Sequence, residues 1–139
     1  MSWAVPKGPS LNPKERRLAV RTEDHPLEYA DFEGNIPEGE YGAGTVIVWD
    51  KGVYENASIK GDKRVSTSTA LAAGHIKFRL FGVKLRGGYT LIQTKMRGED
   101  KNWLLVKDRD AEADAHRNPA ETDRRSVLSG KTIEDMGKG

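Results

Sequence analysis

Cysteine is absent from this chain of 139 residues. Its absence excludes disulfides, thiolate zinc sites and thiol nucleophiles together, and it fits a reducing, cytoplasmic setting. Histidine is scarce, at His25, His75 and His116 only, so an imidazole-built catalytic metal site has few ligands to draw on. No apolar run reaches the roughly 18 residues that suggest a membrane-spanning helix, and no basic segment followed by an apolar one opens the chain. The hydrophobic residues, 36% of the total, come in short groups separated by Gly and Pro, a spacing that favours strands over long helices.

What is present suits one domain over residues 1–139. Short β-branched or aromatic segments bounded by Gly, Pro or Asp predict strands at 3–5, 18–22, 45–49 and 53–54. Residues 75–81 alternate, with Ile76, Phe78 and Leu80 on one face and His75, Lys77 and Arg79 on the other, as in a half-buried strand. Residues 89–94 and 103–107 continue the series as antiparallel strands, joined by a polar, Gly-containing connection. Residues 66–73 predict a short helix, with Ser and Thr to cap it, Ala and Leu inside it and Gly74 to stop it. Residues 109–125 are dense in charge without apolar periodicity and predict a mobile connection, and 132–135 fit a capping box for one last helical turn. The pattern as a whole predicts a mainly β, β-rich α+β fold.

The net charge of +2 hides an asymmetry, 9 basic against 11 acidic residues in 1–70 and 14 against 10 in 71–139. Lys77, Arg79, Lys84, Arg86, Lys95 and Arg97 follow one another with no Asp or Glu between them, a candidate footprint for nucleic acid or, alternatively, a solvated sheet face. Gly34, Gly39, Gly42 and Gly44 suggest a phosphate loop, but strand-like Thr45-Val-Ile-Val-Trp49 follows where such a loop needs a helix, so they predict a structural turn. Asp108, Asp110, Asp114 and His116 match no cation-loop spacing, and Ser10, Ser66, Ser126 and Ser129 lack a partnered base. His25 stands apart because Glu23 and Asp24 adjoin it and Tyr29 follows. A neighbouring carboxylate fixes the imidazole tautomer and favours its charged form, suiting it to donate to a phosphate or act as a general acid. Lys7 and Arg17 add cations able to hold phosphate through charge-assisted hydrogen bonds. A histidine in an ordinary polar turn is the alternative.

Ser2-Trp-Ala-Val-Pro-Lys-Gly-Pro-Ser10, Arg17-Leu-Ala-Val20, Glu23-Asp-His-Pro-Leu-Glu-Tyr29 and Ile36-Pro-Glu-Gly-Glu-Tyr-Gly-Ala-Gly-Thr45 closely resemble the 3′-phosphoesterase domain of bacterial and archaeal DNA ligase D. Lys77-Phe-Arg-Leu80, Lys84-Leu-Arg-Gly87, Lys101-Asn-Trp-Leu-Leu-Val-Lys107 and Ser126-Val-Leu-Ser-Gly-Lys-Thr132 resemble its later segments in the same order. The resemblance implies a compact antiparallel β-barrel with short flanking helices. It also implies a manganese-dependent activity that trims 3′ ends at DNA breaks, removing a 3′-terminal ribonucleoside and then the 3′-phosphate. On the matching positions His25 and Tyr29 look like phosphate contacts, Glu23 like a supporting carboxylate, and Lys7 and Arg17 like basic residues lining the site. DNA 3′ ends are the implied partner, with ligase and polymerase domains or break-bridging proteins as others, in the nucleoid.

The family also carries a His-x-x-x-x-x-His-x-Asp-x-Arg motif shortly before the segment matching Ser2-Trp3, which this sequence does not contain. In the family its two His and the Asp hold the manganese and its Arg contacts the phosphate, so the resemblance puts the metal ligands upstream of Met1. The chain is therefore expected to be shortened at Met1 relative to the family, to leave an unpaired strand edge at 3–5, to bind no manganese at the family site and to hydrolyse weakly or not at all. Two functional classes share these residues, a metal-dependent 3′-phosphoesterase and a non-catalytic module for DNA ends or for docking the ligase.

Overall fold

The computed structural model describes residues 2–22, 33–36, 44–94 and 101–137. Met1, and with it the expected boundary of the metal side, lies outside them. Six strands form one antiparallel sheet: β1 (Ser2–Ala4), β2 (Arg16–Thr22), β5 (Gly52–Asn56), β8 (His75–Gly82), β9 (Arg86–Gln93) and β10 (Asn102–Lys107). Their order is β1-β2-β10-β9-β8-β5, and the sheet curls into a half-barrel. Two small hairpins stand outside it, β3 (Gly34–Ile36) with β4 (Gly44–Val46) and β6 (Ile59–Lys60) with β7 (Lys63–Arg64). The helices are short: α1 (Thr67–Ala73), α2 (Pro119–Thr122) and α3 (Ile133–Gly137).

The three consecutive antiparallel strands expected near the centre are β8, β9 and β10. Strict alternation in β8 turns Ile76, at 4% exposure, toward the core and leaves His75, Lys77 and Arg79 exposed. Register carries this division across the sheet, because Ile76 faces Leu91, Leu91 faces Leu105 and Leu105 faces Arg17. That inner face holds the core of Ala19, Ile76, Leu91 and Trp103, covered by Ala70 and Leu71 of α1. Helix α1 starts where Ser66 accepts a hydrogen bond from Thr69 N (3.2 Å). It stops at Gly74, whose φ of 76° closes the last turn in a conformation costly for other residues. Strand β1 is an end strand of the sheet, with β2 as its pairing partner among the described residues.

Two carboxylates tie the connections down. Asp50 accepts from the backbone N–H of Val83 (2.9 Å), Lys84 (3.1 Å) and Leu85 (2.9 Å), fixing the β8–β9 turn. Asp110 accepts from Gly88 N (2.7 Å) and from Nζ of Lys107 (2.6 Å). The Lys107 side chain is wholly buried, and its ammonium also donates to the carbonyls of Gly88 (3.1 Å) and Asp108 (3.2 Å). Burial alone would raise the Asp110 carboxyl, but the hydrogen bonds from Lys107, Gly88 and Glu112 outweigh it and hold the group below its ordinary range.

Segment 109–125, expected to be a mobile connection, contains the helical turn α2 with Pro119 buried. It is pinned by Asp114 N on Leu11 O (2.8 Å) and by Trp49 Nε1 on Asp123 O. The strand expected at 45–49 is confined to Gly44–Val46, and residues beyond it serve these loop contacts instead, Val127 N donating to Val48 O at 2.9 Å. No helix is long and apolar enough to cross a membrane among the described residues.

Candidate functional site

Residues 17, 19 and 21 alternate to the inner face of β2, which brings Arg17 and Arg21 to either side of the fully buried Ala19. Nη2 of Arg17 pairs with Glu15 at 2.7 Å, and the Arg17 side chain is only 17% exposed. Its Nε is buried with no hydrogen-bond partner among the described residues. Two indole donors on the same face, Trp3 Nε1 and Trp103 Nε1, are likewise buried without an acceptor among the described residues. The two rings meet edge to face at 5.7 Å, and the Arg21 guanidinium lies 5.9 Å from the Trp3 ring centre. Lys7 is exposed in the turn that follows β1, closed by Gly8 N on Val5 O at 2.9 Å.

Beside the hydrophobic core, the β1–β2 end of the inner face thus gathers two guanidinium groups, one of them paired with Glu15, and two indole donors. Buried donors are almost always paired, so an orphaned guanidinium N–H is an exception that calls for an explanation. Arg21 was not among the expected site residues, although its position four residues after Arg17 in one strand is the signal that would have found it. Glu23, His25 and Tyr29, like Met1 before which the metal ligands were expected, lie outside the described residues.

The basic series divides differently from its order in the sequence. Lys77, Arg79 and Arg86 are exposed on the outer face, the side of the sheet opposite Arg17. Lys84 departs from the expected footprint. Its side chain is 8% exposed, and Nζ donates to the carbonyls of Asp123 (3.2 Å) and Arg125 and lies 4.7 Å from the Trp49 ring centre. Desolvation lowers its pKa, with the Asp123 and Asp50 charges working the other way. It clasps the carboxyl-terminal segment to the β8–β9 turn. Lys95 and Arg97 lie outside the described residues.

Tyr89 is an inner-face anchor, its hydroxyl donating to Ser10 O at 3.2 Å. Burial, helped by the Asp110 and Asp50 charges, pushes that hydroxyl far above its ordinary range and keeps it neutral. Among the described residues no group of three His, Asp or Glu side chains could hold a metal ion. His75 is exposed at the start of β8, and His116 sits in a turn where its N–H donates to Asp114 at 2.8 Å. The described inner face presents guanidinium groups and N–H donors, whose chemistry suits an anion.

An antiparallel half-barrel with a few short helices defines a β-rich domain. Residues 1–93 match the family described as the DNA Ligase D 3′-phosphoesterase domain, and the chain belongs to that family. It is 54% identical over 112 residues to the multifunctional non-homologous end joining protein LigD of Pseudomonas aeruginosa, covering 81% of this chain and 12% of that protein. The LigD of Mycolicibacterium smegmatis is 44% identical over 110 residues, covering 79% of this chain and 14% of its own length. The LigD of Mycobacterium tuberculosis is 47% identical over 94 residues, covering 68% and 11%. The chain spans a small part of these relatives.

Proposed function

We propose that the inner face of the half-barrel holds the phosphate at a DNA 3′ end, as the substrate-binding side of a 3′-phosphoesterase acting in double-strand-break end joining. The observation that carries this reading is the buried Nε of Arg17, without a partner among the described residues, beside a guanidinium arm already fixed by Glu15. A phosphate oxygen supplies the missing acceptor, and a charge-assisted bond gains strength where water is excluded. Lys7 adds a second cation, and the family resemblance offers His25 and Tyr29 as further phosphate contacts with Glu23 as a supporting carboxylate. These groups stabilise the charge that grows on the phosphoryl oxygens as the ester breaks. Membership of the 3′-phosphoesterase family supports the reaction, which leaves a 3′-hydroxyl end.

On this reading residues 1–139 bind the end, and the hydrolytic step draws on a His-x-x-x-x-x-His-x-Asp-x-Arg motif that these residues do not contain. Phosphate release from a 3′-phosphorylated primer–template should be about a hundredfold or more below that of a polypeptide carrying the motif ahead of Met1, since metal ligands supply several kcal/mol of transition-state stabilisation. Equal rates would contradict the division of the site. Affinity for the 3′-phosphate end should be unchanged by EDTA, and a strong fall would show a metal in the binding step. A non-catalytic end-binding module uses the same residues and is separated from a slow enzyme by the absence of any phosphate release.

A further inference from the structure

We infer that the outer face of the sheet is a second nucleic-acid surface, built to stack and hold single-stranded nucleic acid separately from the phosphate site on the inner face. The register defines it row by row. Arg16 faces Val106, Val106 faces Thr90 and Thr90 faces Lys77, while the next rows place Arg79 between Gly88 and Glu55 and Phe81 between Arg86 and Val53. Arg16, Lys77, Arg79 and Arg86 are all exposed. The carboxylates beside them are Glu55 and Asp108, and Asp108 is engaged by the Thr90 hydroxyl at 2.7 Å. The balance is positive over a surface about 15 Å wide from β2 to β8, at the ordinary strand spacing.

The partner's class follows from what lies among these charges. Phe81 is 48% exposed and Val53 70%, so an aromatic ring stands open beside Arg86, whose Nε is steadied by Gly82 O at 3.2 Å. Cations that follow a phosphate backbone, with an exposed ring on which any base can stack, are the combination that sequence-tolerant single-strand binders use. Adjacent residues of a strand point to opposite faces, so Lys77 and its neighbour Ile76 lie on opposite sides of the sheet, and the Ile76 side is that of Arg17. A duplex end seated against Arg17 therefore leaves the outer face free for another strand.

The test uses the 139-residue chain and a fluorescent oligothymidylate with no terminal phosphate. Phe81→Ala should weaken binding about tenfold, and Phe81→Trp should restore it, as stacking on an aromatic ring requires. Changing Lys77 and Arg79 together to Ala should lower the slope of log affinity against log salt by about 1.4, the value for two phosphate contacts on a single strand. A saturating 3′-phosphorylated duplex should leave the oligothymidylate bound, and Arg17→Ala should not affect it. Loss of binding in Arg17→Ala, or displacement by the duplex, would overturn the separation of the two surfaces. Unchanged binding in both the Phe81→Ala and the Lys77/Arg79 variants would overturn the nucleic-acid assignment and leave the face to an acidic protein partner. If Arg17 proves irrelevant to 3′-phosphate, only the inner-face reading fails, because the outer-face variants are scored on a probe without that group.

Discussion

Lys107 shows how much of a residue's role is set by its neighbours. As one of 23 basic residues it is inconspicuous in the sequence, yet it follows Trp103 and Leu105 in the alternation of β10 and so points inward. Its full burial is tolerated because Asp110 and two carbonyls take up the ammonium. Asp110→Asn should therefore cost about 3 kcal/mol in urea unfolding, the usual penalty for stranding a buried charge, and Lys107→Met added to it should recover part of the loss. The pH dependence follows from the same pair. A carboxyl held below its ordinary pKa of 3.8 contributes stability that is complete above that value and is lost as pH falls through the lower folded value. Unfolding midpoints of the wild type should fall on acidification below about pH 4 more steeply than those of Asp110→Asn. Arg17 was visible in the sequence as a cation, but a buried Nε without a partner among the described residues was not, because that depends on Glu15 taking one arm and on the fold burying the rest.

At the scale of elements, the strands legible in the sequence are those with a strong two-residue period. The β8 alternation alone assigns Ile76 and Lys77 to their observed faces. The hairpin of β6 and β7 escaped because strands of two residues carry no period at all. Helix α2 escaped because its four residues begin at a proline within a charged run, and what orders them is packing against distant loops. Helix α1 was legible from its ends, and those ends are testable. Ser66→Ala should cost about 1 kcal/mol through the lost cap. Asp50 is a different case, since a single carboxylate holding three N–H groups of the β8–β9 turn comes from 33 to 35 residues away. Asp50→Ala should cost about 2 kcal/mol or more, the range for bonds to a charged acceptor, measured by thermal or urea unfolding.

For the molecule as a whole, the family is legible in the motifs of residues 1–45 and in later segments as far as Thr132, and the match over residues 1–93 agrees with those that fall within it. What linear order could not show is that one sheet separates the basic residues. Arg17 and Arg21 look inward, Lys77, Arg79 and Arg86 look outward, and Lys84 is spent on the fold. Spacing along the chain made the series from Lys77 to Arg97 look like a single patch, whereas strand pairing also brings Arg16 into the row of Lys77. The central claim is that the inner face recognises the phosphate itself. Its most direct test is the affinity of the chain for two duplexes that differ only in a 3′-phosphate or a 3′-hydroxyl, compared between wild type and Arg17→Ala. The wild type should prefer the phosphate by about tenfold or more, the worth of a charge-assisted bond, and Arg17→Ala should lose most of that preference while binding the hydroxyl end nearly as before. An equal loss on both ends would contradict a phosphate site at Arg17.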